Sequence, residues 1–215
     1  MRINCIPWSR LPVVEKEKSE DSRQAEDRNL ASRRHGPWRI IESRQVYQDP
    51  WVSLRRDEVL RPDNKPGTYC VVNVKPGVCV IALDEHGQVH LTEEFHYGVG
   101  RVTVEAVSGG VELGEVAEEA AKRELAEELG IFAAEWTDLG MVDPFTANVV
   151  SPTRLYLARG LTLGRPSTDG GEVIRHLIWS FEEALAAVLD SRISHAPSAV
   201  AILKTHLYLA GSSRQ

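Results

Sequence analysis

From Pro37 onward the apolar residues fall into short runs of strand length, several with the period-two alternation of a half-buried strand. WRIIESRQVY, WVSLRRDEVL, TYCVVNV and VCVIALD read as strands, then QVHLTEEF after a DEHG turn, and RVTVEAV entering a glycine-rich loop. Residues 115–129 change character: they are rich in Ala, Leu, Glu, Lys and Arg, the strongest helix formers, and Gly130 supplies a stop. Beyond them WTDLGMV, TRLYLARGL and VIRHLIWSF predict further strands, while FEEALAAVLD and a stretch from about Ser198 to Ala210 predict helices. Strands flanking one central helix, with helices appended, imply an α/β (α+β) chain whose mixed sheet is covered on both faces.

Residues 1–36 carry mixed charge with little hydrophobic periodicity, so a mobile extension is expected there and a single domain over 37–211. A chain of 215 residues that is 42% apolar can bury one substantial core. The net charge of −6 argues against nucleic-acid binding through bulk electrostatics. No apolar run is long enough for a bilayer, and the first residues lack a signal-peptide stretch, so the expectation is a cytoplasmic protein with no membrane partner. Cys5, Cys70 and Cys79 are too few and too irregular for a disulfide framework or a zinc site; Cys70 and Cys79, within apolar runs, are expected in the core.

The helix at 115–129 carries the chemistry. At about 100° per residue Glu124, Glu127 and Glu128 share one face. Like charges at that spacing repel, and carboxylates in a last turn oppose the helix dipole, so a cation is wanted there. Glu118–Lys122 and Glu119–Arg123 read as ordinary surface pairs. Glu124 and Glu128, bordering the apolar stripe of Ala121, Leu125 and Leu129, read as ligands of Mg²⁺ or Mn²⁺, hard ions that take carboxylate oxygens and bridge to phosphates.

The run GGVELGEVAEEAAKRELAEELGI, from Gly109 to Ile131, matches every fixed position of the Nudix box. These are Gly109, Glu115, Arg123-Glu124-Leu125, Glu127-Glu128 and Gly130-Ile131, a coincidence of about one in ten million at ordinary residue frequencies. The chain therefore resembles the Nudix hydrolases, and over about 37–210 it looks most like their ADP-ribose pyrophosphatase branch. The further markers are WRIIESRQVYQDPWVSLRRDEV, the stretch EAVSGGVELGE that resembles a Glu-x-Pro-Ala-Gly entry to the box, and Pro144 beyond it.

The resemblance implies an α/β/α sandwich with N-terminal antiparallel strands over 37–75 that take part in a homodimer and help enclose the nucleoside. It implies that Glu124 and Glu128 ligate metal, that the Ser108 carbonyl joins them, and that Glu127 supports a further ion or its water. Gly109, Glu115, Arg123 and Gly130 would shape the motif, and Glu105 opens its entry on the substrate side. Trp38 and Tyr69 stand where the branch stacks an adenine, or else pack at the dimer seam. Glu94-Phe95-His96 replaces a Gln-aromatic-Arg pattern, putting a titratable ring where a fixed cation is usual, with Arg101 as a compensating cation. Val107 replaces the entry proline. For the base, the resemblance points to the loop before the last strand, to Glu172 first and Asp169 second.

The expected reaction is metal-dependent hydrolysis of a nucleoside diphosphate derivative, ADP-ribose or another ADP-sugar, to AMP and a sugar phosphate. Alternatives within the same chemistry are GDP- or UDP-sugars, NADH and dinucleotide polyphosphates. A different class is a Nudix module that senses a nucleotide without cleaving it.

Overall fold

The computed structural model of the chain describes residues 33–167 and 173–212. Cα packing divides them into two compact units, one of 33–44 with 56–69, the other of 45–55 with the described part of 70–212. The expected extension at 1–36 lies outside the described residues up to position 32. Residues 33–36 do not belong to an extension: β1 (Arg33–His35) turns at Gly36, φ 59°, to pair antiparallel with β2 (Trp38–Gln48).

In the smaller unit β1 and β2 are followed by part of β3 (Val52–Leu60) and the start of β4 (Pro66–Val74), and the sheet order is β1-β2-β3-β4-β10. The β3–β4 turn closes where Arg61 N–H donates to the Lys65 carbonyl, with Asn64 at φ 59°, a left-handed position that asparagine tolerates. Ser43 donates to the buried Asp57 at 2.6 Å, and Trp38 meets Tyr69 edge-on at 5.7 Å.

The larger unit is built on a second sheet, ordered β12-β6-β5-β11-β9, with β7 paired to β6 and β8 to β5. Its strands are β5 (Gly77–Leu83), β6 (Gln88–His96), β7 (Arg101–Glu105), β8 (Val107–Gly110), β9 (Ile131–Val142), β11 (Thr153–Leu163) and β12 (Arg175–Ser180). β11 runs parallel to β5 and antiparallel to β9, so the sheet is mixed, as expected. The two-residue β10 (Val149–Val150) instead pairs in parallel with the end of β4.

Alternation along β5 makes the layers. Cys79, Ile81 and Leu83 point to one face with Leu155 and Leu157, where α2 (Phe181–Leu189) and α3 (Ala196–Ser212) cover them. Val78, Val80 and Ala82 point to the other with Tyr156 and Ala158, beneath α1 (Ala117–Leu129). Period-two strands buried on both sides give an α/β/α arrangement with two apolar layers.

Boundaries differ where special side chains intervene. α1 begins at Ala117 instead of 115, because Glu115 is drawn into the preceding loop, where its carboxylate accepts the Glu112 N–H at 2.9 Å. Gly130 ends α1 as expected, at φ 63°, with its N–H on the Ala126 and Leu125 carbonyls. β9 starts at Ile131, five residues before the expected WTDLGMV, since the left-handed glycine turns the chain straight onto β11, where Ile131 pairs with Leu163. α3 starts at Ala196, and Pro197 fits because a first helical turn needs no N–H partner. Cys79 is fully buried and its thiol is pushed up to about 12 by burial. Cys70 is exposed, contrary to expectation.

Candidate metal-binding site

The box helix and the loop before it form one electrostatic unit around Arg123. Its Nε and Nη2 donate to the two oxygens of Glu115 at 3.0 and 3.1 Å, Nη1 donates to Glu124 at 2.8 Å and Glu127 at 3.1 Å, and Nη2 also reaches the Gly110 carbonyl at 2.9 Å. A planar guanidinium has the donors for this, an ammonium does not. The bond to Glu115 is the main reason the Arg123 pKa is raised, and Arg123 in turn holds Glu115 below the usual carboxylate range. The expected Glu119–Arg123 pair is replaced: Lys122 takes both Glu118 and Glu119, each at 2.8 Å, because Arg123 is turned toward the loop.

Glu124 sits at the centre. Its side chain is 14% exposed, and burial lifts its carboxyl above the ordinary range despite the Arg123 bond. It lies on the bare backbone of Gly109 in β8: a Cβ built there would stand 2.5 Å from Oε2 and nearer still to the other carboxyl atoms. Ser108, the neighbouring residue, pairs with Cys79 of β5. Glu128 belongs to the same region, since its charge contributes to raising the Cys79 thiol.

No three His, Cys, Asp or Glu side chains among the described residues stand ready-made as a metal cage. The carboxylates are held by Arg123 instead, and one guanidinium against Glu115, Glu124 and Glu127 leaves a net charge of −2 (1 − 3). α1 adds no basic residue in its last turn. A half-buried carboxylate in excess negative charge, pressed against a side-chain-free backbone, is a donor set of hard oxygens that suits a divalent cation. Glu124, Glu128 and the Ser108 carbonyl would hold it, with Glu127 close by.

Three of the expected substrate residues come together at the β6–β7 hairpin. His96 pairs with Arg101 across it, and His96 Nε2 lies 3.2 Å from Oε1 of Glu105. Glu105 is 8% exposed and also receives Thr103 Oγ1 at 2.7 Å and His195 Nδ1 at 2.9 Å. Burial pushes its carboxyl up, but the bond and charge of His195, with Thr103 and His96, outweigh this and leave it below the ordinary value. Its oxygens are thus occupied by the protein. Trp38 and Tyr69 belong to the smaller unit, where they touch each other. Asp169 and Glu172 lie outside the described residues.

The sequence reading missed the segment at the start of α3. Arg101 donates to Ser194 at 2.9 Å, and Ser198 accepts the Ala106 N–H at 2.9 Å. No spacing signal marks them. It also missed the docking of the loop after β11 on the end of the box helix, where Ser167 N–H donates to the Glu127 carbonyl at 2.8 Å and Gly164 N–H to that of Gly130 at 2.6 Å. A Cβ on Gly130 would meet the backbone of Arg165 and Pro166 at 2.5 and 2.6 Å.

A mixed sheet between helices, with a glycine-seated carboxylate helix on one face, fits a metal-dependent phosphoanhydride enzyme. Residues 74–198 match the NUDIX domain, more than half of the chain, and the chain belongs to the Nudix family. Residues 38–72 match the nucleoside diphosphate sugar hydrolase N-terminal domain. Among curated relatives, an ADP-ribose pyrophosphatase of Mycobacterium tuberculosis is 29% identical over 174 residues, 80% of this chain and 84% of that one. One of Bacillus subtilis is 27% identical over 172 residues, and a methanol dehydrogenase activator of Bacillus methanolicus 26% over 168; each alignment covers 76% of this chain and 90% of the relative. A crystal structure of an ADP compounds hydrolase superposes with a TM-score of 0.72 at 19% identity, covering 82% of this chain and 96% of that one, a likeness of fold.

Proposed function

We propose that the chain hydrolyses the pyrophosphate bond of a nucleoside diphosphate sugar, ADP-ribose or another ADP-sugar first, releasing AMP and a sugar phosphate. The observation that carries this is Glu124 seated on Gly109 within an intact box, next to the match of residues 38–72 to the nucleoside diphosphate sugar hydrolase N-terminal domain. The relatives named for ADP-ribose add weight to the adenine. Mg²⁺ or Mn²⁺ is the proposed ion. When bound, it would neutralise the diphosphate and lower the pKa of a water that attacks phosphorus.

The chain's own part is positioning and charge. In this reading Glu124, Glu128 and the Ser108 carbonyl would supply the oxygens for the ion, and Glu127 would orient water beside it. Arg123, through its bonds to Glu115 and the Gly110 carbonyl, would keep the loop in shape beside an ion held by Glu124. Water adds to one phosphorus while the bridging P–O bond breaks, and the other phosphate leaves with the bridging oxygen. The proton of the water passes to a carboxylate, for which Glu172 is the first candidate and Asp169 the second. Trp38 and Tyr69 are proposed to stack an adenine; His96 and Arg101, with Glu105 holding His96, are proposed as substrate contacts of the larger unit. A homodimer using the 37–75 strands, and a cytoplasmic location, belong to the same reading. No helix among the described residues is long and apolar enough to cross a membrane.

A panel of ADP-ribose, other ADP-sugars, GDP- and UDP-sugars, NADH and dinucleotide polyphosphates, with Mg²⁺ or Mn²⁺ and product chromatography, tests this. AMP with ribose 5-phosphate as the fastest product pair is expected. Tight binding of one nucleotide with no turnover of any would replace hydrolysis with sensing. On the best substrate Glu172→Gln is expected to lower kcat by ~100-fold, the ordinary worth of a positioned general base. Losses below about tenfold in both Glu172→Gln and Asp169→Asn would put the base elsewhere.

A further inference from the structure

The proposed hydrolysis needs the Ser108 carbonyl and the Glu124 carboxylate at one place, which depends on where the backbone of β8 runs. The box supplies the helix side of that meeting through Gly109 and Arg123. Residues Glu105 and Ala106, which lead into β8, are held from the far end of the chain. Oε2 of Glu105 lies 2.9 Å from His195 Nδ1, and since a carboxylate only accepts, that nitrogen carries the proton. The same nitrogen stands 2.8 Å from Ser198 Oγ, which also accepts the Ala106 N–H at 2.9 Å. The single Nδ1–H is shared between Glu105 and Ser198, and Ser198 Oγ also lies 3.9 Å from Cys79 Sγ. Ser198 and Ala106 are both fully buried, so no water replaces these bonds. Cys79 is the residue that pairs with Ser108.

We propose that His195 and Ser198 are positioning residues for the metal-binding backbone: from the start of α3 they fix Glu105 and Ala106, and with them the Ser108 carbonyl two and three residues on. Without the Ser198 hydroxyl the Ala106 N–H is buried with no acceptor, and the peptide planes between 105 and 107 rotate to find one. Without His195 the Glu105 carboxylate loses a donor on Oε2 that reaches it from outside the β6–β7 hairpin. Either change displaces the carbonyl relative to Glu124, which lies directly against the Gly109 backbone. The inference rests on the reading of the box as a divalent-metal site.

The test is Mn²⁺ binding to the full chain without substrate, by calorimetry and by the spin-resonance signal of free Mn²⁺, alongside thermal melts. Ser198→Ala and His195→Ala are expected to weaken Mn²⁺ binding by about 10- to 100-fold, the usual effect of removing an outer support of a metal ligand. His195→Asn, which keeps an N–H near the position of Nδ1, is expected to restore most of the affinity. Ile202→Val, buried on the same helix, is expected to melt lower and bind Mn²⁺ like the parent. Parent-like affinity in both alanine variants overturns the proposal. Equal weakening in Ile202→Val overturns it too, by reducing the effect to general stability. Should Ser198→Ala fail to fold, the contrast of His195→Ala with His195→Asn decides, because that side chain is 28% exposed and open to truncation. A parent that binds no Mn²⁺ sinks the metal reading itself, whereas a parent that binds Mn²⁺ but cleaves no nucleoside diphosphate sugar sinks only the proposed reaction.

Discussion

Gly109→Ala separates catalysis from folding in this chain. Gly109 lies outside the left-handed region, so an alanine there meets no backbone penalty, and the whole effect is steric. The added methyl would stand 2.5 Å from Oε2 of Glu124 and closer to its Cδ and Oε1, where ordinary contact begins at 3.4 Å. The carboxyl group must therefore retreat by at least about 1 Å, and displacement of a reacting constellation by ~1 Å costs on the order of 100-fold in rate. Stability responds differently. The atoms in the way are the end of a flexible side chain, so strain falls at or below the ~1–3 kcal/mol of ordinary overpacking, and the lost chain freedom of glycine returns ~0.4–1 kcal/mol. The net destabilisation is at most about 2.6 kcal/mol, or roughly 5–10 °C in Tm for a chain of this size. The assay is kcat on ADP-ribose at saturating Mg²⁺, with a melt in chelator. A kcat within about threefold of the parent would refute the argument that the carboxylate needs this seat. A loss of Tm beyond roughly 10 °C would refute the claim that only Glu124 gives way.

Gly130→Ala is expected to do the reverse of sparing the fold: φ of 63° costs ~1–2 kcal/mol for an alanine, and the methyl meets backbone of Arg165 and Pro166, so Tm falls by at least about 6 °C in a melt. Glu124→Gln and Glu128→Gln are expected to lower kcat by ~100-fold or more while the metal-free melt stays equal or rises, because each removes a charge from a repelling cluster; near-normal turnover in both would remove the metal site. Stability is expected to fall as pH drops from 6.5, because burial depresses both His90 and His176, whose rings share one hydrogen bond of 2.9 Å. In that window the unfolded chain binds more protons, so stability rises with pH and is lost as pH falls through the folded values. Urea melts at pH 7.5 and 5 should show a smaller difference in His176→Gln than in the parent, and an equal difference would discard the pair as the cause.

The parts of the fold visible in the sequence are those where one residue type dominates a period. The unbroken apolar run of β5 and the helix formers of α1 placed both core layers, and the carboxylate sector of α1 carries the proposal of a metal site. Ser108–Gly110 of β8 read as loop because SGG carries no apolar period, although the pairing with β5 is backbone alone and glycine suits the close approach of Glu124. Two-residue β10 and three-residue β1 are too short to carry a period at all. Cys70 stands in an apolar run on a strand whose alternate residues face outward, so composition mistook its side. His195 and Ser198 were invisible for another reason: each lies about 90 residues from its partner, Ser198 92 from Ala106, and only the path through β11, β12 and α2 brings them back.

The Arg123 fork has a consequence for the life of the protein before any substrate arrives. Because the chain carries its own counter-ion among these carboxylates, helix and loop can assemble with no metal in solution, unlike small domains whose ligands stay unfolded until an ion is supplied. On the proposed metal reading, removing the ion would then be an off-switch and not a denaturant: a chelator is expected to stop turnover with the melt unchanged, and re-addition to restart it without refolding.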